Sequence, residues 1–163
     1  MTNRLPICLI LALSLAVSIL SSRATAQNAA AGPSPVATSD GEASGMQVQV
    51  TKLKREGDAV MLQFEIINNS DNPFQSEGAL VPVGQCCRTD VSGVYLLDTA
   101  GKKKYEVLLD SDKNAVCSRD FGNIAPKSTV NLWAKFPAPP DSVQKVGVVV
   151  PHFIPMDDVP ISQ

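Results

Sequence analysis

Apolar and polar residues alternate with a period of two along much of the chain after residue 45. In four runs every second residue is apolar: residues 46–50, 60–66, 130–136 and 146–150. A period of two places alternate side chains on opposite faces of a β-strand, whereas an amphipathic helix repeats about every 3.6 residues. The pattern therefore predicts strands that each turn one face toward a core.

Residues that favour turns separate the predicted strands. Three of the four residues at 137–140, directly after the run at 130–136, are prolines. Residues 99–101 (Thr-Ala-Gly) lie between segments 94–98 and 105–109 and predict a hairpin. No stretch has convincing helical periodicity. About seven short strands with turns between them predict an all-β fold, an antiparallel immunoglobulin-like β-sandwich.

Residues 1–26 have the features of a secretory signal peptide. Arg4 supplies the positive charge, residues 7–20 are an apolar run interrupted by two serines, and Ala24-Thr25-Ala26 matches a cleavage site. The apolar run is shorter than the ~20 residues that a membrane-spanning helix needs. We therefore expect cleavage, no membrane insertion afterwards, and a mature protein that is periplasmic or secreted.

The next segment has the composition of a tether. In residues 27–45, 14 of 19 residues are Ala, Gly, Ser, Pro or Thr. Such a segment has little apolar surface to bury, and its composition predicts a disordered linker. The β-sandwich domain is then expected to occupy residues 46–163.

The composition narrows the possible functions. The 163 residues suggest one domain and carry a formal charge of −2; residues 1–26 contain two arginines and no acid, so their removal leaves −4. An acidic chain lacks the broad basic surface that nucleic-acid binding requires. One histidine in the whole chain disfavours most His-based metal centres and His-paired nucleophiles. We expect no nucleic-acid partner, no cofactor and no enzymatic activity.

Several segments after residue 92 resemble a known family. In order, they include Gly93-Val94-Tyr95-Leu96-Leu97-Asp98, Leu109-Asp110-Ser111, Val116-Cys117-Ser118, Leu132-Trp133-Ala134-Lys135-Phe136-Pro137 and Asp158-Val159-Pro160-Ile161. This order is similar to the β-sandwich segment of bacterial envelope proteins that sometimes precedes an OmpA-like domain. Family members often carry Cys-x-Cys, where this chain has Ala115 in place of the first cysteine. The resemblance implies a sandwich in the cell envelope and implies no reaction.

Three cysteines follow the signal peptide: Cys86, Cys87 and Cys117. In an oxidising compartment we expect a disulfide between Cys117 and one of the other two. Neighbouring residues on a strand point to opposite faces, so the remaining cysteine would stay free or pair between chains. A Cys86–Cys87 bridge and a redox or metal-thiolate role are the alternatives.

Asp110, Asp112 and Asn114 have the alternate spacing that begins a calcium-binding loop. The sixth position is Ala115 rather than Gly and the twelfth is Phe121 rather than Glu, so the EF-hand pattern is broken. These residues are therefore weak metal candidates and are expected to form a turn.

His152 is the one histidine, and Asp157 and Asp158 follow it in a proline-rich stretch that reads as an extended tail. One imidazole and two carboxylates do not complete a known zinc set. No metal site is predicted there.

Two exposed features indicate a possible interaction surface. Trp133 falls on the strand face opposite Leu132 and Phe136, which predicts partial exposure for the indole ring. Lys102, Lys103 and Lys104 are expected at a hairpin tip, where they could contact an anionic polymer.

These observations predict a non-catalytic binding or interaction module of the bacterial cell envelope, with an envelope protein or polymer as partner. The alternative is a metal- or thiol-dependent periplasmic protein that uses Cys86, Cys87, Cys117 or the loop at Asp110.

Overall fold

A computed structural model of the protein describes residues 34–84 and 88–163. Eight strands and no helix occur in these ranges, and no helix there is long and apolar enough to cross a membrane. The strands are β1 (Ala37–Asp40), β2 (Met46–Glu56), β3 (Ala59–Asn68), β4 (Tyr95–Asp98), β5 (Lys103–Glu106), β6 (Ser128–Pro137), β7 (Lys145–Val149) and β8 (Met156–Pro160).

The strands form two antiparallel sheets of four, with orders β1-β2-β3-β6 and β5-β4-β7-β8. The antiparallel β-sandwich predicted from the sequence is confirmed, and so is the β4–β5 hairpin around residues 99–102. The strand order differs from the ABED and CFG sheets of immunoglobulin constant domains, because β1, β2 and β3 follow one another as a meander.

The core lies between the two sheets and is built from every second residue of the long strands. Its members include Val60, Leu62, Phe64 and Ile66 of β3, Leu132, Ala134 and Phe136 of β6, Leu96 and Tyr105 of the hairpin, and Val146 and Val148 of β7. Full burial of a Val, Leu or Phe side chain contributes about 1.5–3 kcal/mol. The alternation therefore specifies the inner faces, and the intervening residues form the outer faces.

The structure corrects the start of the folded region. Ala37–Asp40, which the sequence placed in the linker, forms β1 and pairs with residues 47–50 of β2. The Val36 N–H donates to the Val50 carbonyl over 2.7 Å, and Gly41 bridges to Phe153. The residues of β1 are small and polar and show no strand pattern of their own. The segment forms a strand because it pairs with the free edge of β2. The prediction of a linker is wrong for residues 37–45; residues 1–33 lie outside the described residues.

A second strand was also missed. The segment that reads as an extended tail forms β8 beside β7, with Met156 and Val159 buried. The two apolar residues are three apart because Asp158 adopts a left-handed backbone conformation with φ 55°. That residue breaks the period of two, so the alternation rule did not find the strand.

Two short segments cover strand edges of the first sheet. Beside β2, the Ser162 N–H donates to the Leu53 carbonyl over 2.8 Å and the Arg55 N–H donates to the Ser162 carbonyl over 2.9 Å. Beside β6, the Ser118 N–H donates to the Trp133 carbonyl over 2.9 Å. These bonds satisfy backbone groups that an open edge would leave available for pairing.

Candidate binding groove

An open groove of about 940 Å³ lies on the outer face of the sheet β5-β4-β7-β8. Its floor is a row of three residues set by the strand register, with Tyr95 of β4 between Glu106 of β5 and Val149 of β7. Residues 78–84 and 88–94 contribute to its walls. We refer to this feature as the groove.

Tyr95 of the floor contacts Lys104, which also lines the groove. Tyr95 points outward because its neighbour Leu96 is fully buried in the core. The Lys104 Nζ lies 4.3 Å from the centroid of the Tyr95 ring and 2.9 Å from Glu106 Oε1. The ammonium group is therefore held both by a π face and by a carboxylate.

One wall carries an arginine that is fixed by a buried acid. Asp90 is 3% exposed, and its carboxylate accepts hydrogen bonds from Arg88 Nε over 2.7 Å and from the Ser92 N–H over 3.0 Å. Burial opposes ionisation of Asp90, but these hydrogen bonds and the Arg88 charge outweigh it and lower the pKa of the carboxyl. The partly exposed Arg88 guanidinium is thereby held at the groove.

His152 and Glu42 also line the groove and contact each other. His152 Nδ1 lies 3.0 Å from Glu42 Oε2, and the Glu42 N–H donates to the His152 carbonyl over 2.8 Å. The sequence suggested Asp157 and Asp158 as neighbours of His152. Its carboxylate partner instead comes from the segment that was predicted to be a linker.

Two exposed aliphatic side chains complete the groove. Val83 is fully exposed and Leu109 is 61% exposed, and both line it. The sequence pattern predicted neither residue as part of a site. Val83 lies in an irregular segment, where the only signal was the apolar stretch Val81-Pro82-Val83. Leu109 was expected at the end of a hairpin strand, but β5 ends at Glu106.

The structure places the predicted surface residues in different sheets. Trp133 is 38% exposed on β6 whereas Leu132 and Phe136 are buried, which confirms the predicted orientation of that strand. Lys102 lies in the turn of the β4–β5 hairpin, and Lys103 and Lys104 lie in β5. The Lys103 Nζ is 5.1 Å from the centroid of the Tyr105 ring. Of these residues, only Lys104 lines the groove.

The loop at Asp110 is a hydrogen-bonded turn. Asp110 Oδ1 accepts hydrogen bonds from the N–H groups of Asp112 and Asn114 over 2.9 and 2.8 Å, and Oδ2 accepts one from Asn114 Nδ2 over 3.3 Å. The bond from the Asn114 backbone is the main cause that lowers the pKa of Asp110. Within residues 34–84 and 88–163, no three His, Cys, Asp or Glu side chains are grouped so that they could hold a metal ion.

Cys117 is buried and forms no disulfide with another described residue, and burial raises the pKa of its thiol. A raised pKa reduces the thiolate fraction and hence the reactivity of a cysteine. Cys86 and Cys87 lie outside the described residues. The disulfide between Cys117 and one of them therefore stays a prediction.

No family model, curated protein or solved structure matches the chain. The resemblance to the β-sandwich segment of envelope proteins stays a prediction that rests on the segments after residue 92.

Proposed function

We propose that the protein is a non-catalytic interaction module, periplasmic or secreted, of the bacterial cell envelope, and that it binds a polypeptide segment of a partner protein in the groove. The observation that carries this proposal is the pair of exposed aliphatic side chains, Val83 and Leu109, in a groove of about 940 Å³. Their burial against a partner would remove apolar surface from water.

The charges around the groove support a partner of low net charge. Lys104 forms an ion pair with Glu106 and Arg88 with Asp90, His152 Nδ1 contacts the Glu42 carboxylate, and Lys113 is the one lining lysine without an ion pair in the described residues. A strongly charged ligand would have to compete with these existing contacts. A polypeptide segment offers apolar side chains for Val83 and Leu109 together with backbone groups for the polar rim.

The proposed location rests on residues 1–26, which lie outside the described residues. N-terminal sequencing of the protein from fractionated cells tests it. We expect a mature chain that begins at Gln27 in the periplasm or the medium. An intact N-terminus on protein confined to the cytoplasm would contradict the proposed location.

Site-specific photocrosslinking tests the groove. A photoreactive residue is introduced at Val83 or Leu109 in the full chain, and Ile154 serves as the control because it is 62% exposed and lies outside the groove. We expect one adduct of the same mass from both groove positions and none from Ile154. In a Val83→Asp background the Leu109 adduct should disappear. Equal adducts at all three positions, or none at the groove positions, would contradict the proposal.

A further inference from the structure

On the outer face of the other sheet, β1-β2-β3-β6, an ammonium group, an amide and an indole ring lie in one row across the strands. Lys52 of β2 pairs with Gln63 of β3, and Gln63 pairs with Trp133 of β6, so the three side chains lie side by side. All three are exposed. We call this surface the flat face. A β-bulge between Val50 and Lys52 sets this register.

The indole ring stands on a strand that is hydrogen-bonded along both edges. On one side β6 pairs with β3 along its whole length. On the other side the Trp133 N–H donates to Ser118 Oγ over 2.9 Å, and the Trp133 carbonyl accepts from the Ser118 N–H over 2.9 Å. The backbone of Trp133 is therefore fixed before any ligand binds, which lowers the entropic cost of binding.

The flat face carries three lysines, Lys52, Lys54 and Lys135, and three acids, Asp40, Glu56 and Glu65. The next row along the strands contains Lys54, Met61 and Lys135. Lys135 pairs with Glu56 over 3.2 Å, whereas Lys52 and Lys54 form no ion pair with any residue in the described ranges. The row on the other side of Trp133 adds one acid, Glu65, between Gln49 and Asn131. Two lysines are thus free to meet an anionic partner.

We propose that the flat face binds an acidic polysaccharide. The C–H face of a sugar ring would stack on Trp133, sugar hydroxyls would hydrogen-bond the amide of Gln63, and a uronate carboxylate would meet Lys52 and Lys54. Neighbouring strands lie about 4.8 Å apart, so the row spans about 10 Å, comparable to two linked sugars. The two lysines without ion pairs favour an acidic over a neutral glycan, and the exposed ring beside them favours a sugar over an acidic protein.

This inference does not depend on the proposed function of the groove, because the two surfaces lie on different sheets and share no residue. Loss of a groove partner would leave glycan binding unaffected, and the reverse also holds. The two proposals can therefore fail separately.

Trp133 is the only tryptophan of the chain, so intrinsic fluorescence reports directly on this surface. The purified full-length protein is titrated with an oligomer of galacturonic acid at low and at high ionic strength. We expect a saturable change in fluorescence that weakens with salt. Lys52→Gln and Lys54→Gln should each weaken binding roughly fivefold, whereas Lys145→Gln, at an exposed position of β7, should not. Trp133→Ala should abolish binding; because this variant has no tryptophan, its binding is measured by calorimetry.

Any of four results would overturn the proposal. Equal affinity for the fully methyl-esterified oligomer would show a platform for neutral glycans. Equal affinity for poly-glutamate would show a site for acidic protein or a general cationic patch. No saturable change, or binding unaffected by both Trp133→Ala and the lysine substitutions, would show that no glycan binds here. Thermal unfolding of each variant establishes that its fold is intact.

Discussion

The outer faces of the two sheets are built in different ways. The flat face is formed by residues within paired strands, and two of its lysines, Lys52 and Lys54, have no acidic partner in the described part of the chain. The groove is enclosed by irregular segments; two of its cations, Arg88 and Lys104, form ion pairs, whereas its third cation, Lys113, has none within the described residues. One sandwich therefore offers a surface of paired strands with two unpaired lysines on one side and a partly apolar groove on the other.

The largest expected effect concerns the assignment of strand residues to the core or to an outer face. Both outer surfaces follow from that assignment. Phe64 of β3 is 1% exposed, whereas its neighbour Gln63 points outward. Phe64→Ala should lower the free energy of unfolding by about 3–5 kcal/mol, because it leaves a cavity between the sheets. Gln63→Ala is the matched control and should change it by less than about 0.5 kcal/mol. Denaturant unfolding measures both, and similar losses for the two variants would contradict the assigned faces.

The next prediction concerns the groove wall. Asp90→Asn should lower the free energy of unfolding by about 2 kcal/mol at neutral pH, because it removes charged hydrogen bonds to Arg88 and Ser92. The folded-state pKa of Asp90 is lowered, so the stability it contributes is present above the unfolded-state value, about 3.9, and is lost as pH falls through the folded-state pKa. The difference between wild type and variant should therefore shrink below about pH 4.

Asp112→Asn is the control for that experiment, because Asp112 is exposed and its carboxylate makes no hydrogen bond within the described residues. The contradicting result is a difference in the free energy of unfolding between wild type and Asp90→Asn that stays constant from neutral to acidic pH. That result would show that the carboxylate charge does not stabilise the wall.

A smaller effect is expected from β1, which places Glu42 beside the groove. A chain that starts at Gly41 loses the pairing of Ala37–Asp40 with β2. Relative to a chain that starts at Ser34, its melting temperature should fall by roughly 4–8 °C, the shift for a loss of about 1–2 kcal/mol in a domain of this size. Calorimetry measures the shift, and identical melting temperatures would restore the linker interpretation of this segment.

The smallest effect is expected at Trp133. Because the ring lies on the outer face, Trp133→Ala should change the free energy of unfolding by less than about 0.5–1 kcal/mol. Leu132→Ala, at the buried neighbouring position, should cost about 2–4 kcal/mol. A larger loss at Trp133 than at Leu132 would show that the ring serves packing rather than binding.

The contrast between the two faces also explains what the sequence could predict. The alternation in β3 and β6 was enough to place Phe64 and Leu132 inside and Trp133 outside. It was not enough to place Lys52 beside Gln63, because the bulge after Val50 shifts the register by one residue. The flat face was therefore only partly predictable.

The groove was almost unpredictable from the sequence. Val83 and Arg88 lie in irregular segments, and Glu42 follows a strand whose small polar residues pair only because β2 offers an edge. Interactions between segments far apart in sequence, such as His152 with Glu42, leave no local pattern. Lys104 was singled out as a hairpin lysine, and its contacts with Tyr95 and Glu106 emerged only from the structure.

The central claim is that the groove binds a segment of a partner protein through apolar contacts. The salt dependence of crosslinking from Leu109 tests this claim most directly. A photoreactive residue at Leu109 is activated in envelope extracts at low and at high ionic strength. Because Arg88 and Lys104 already form ion pairs and the contact at Leu109 is apolar, we predict a discrete adduct whose yield stays constant or rises with salt. A yield that falls steeply with salt, or no adduct at either ionic strength, would contradict the account.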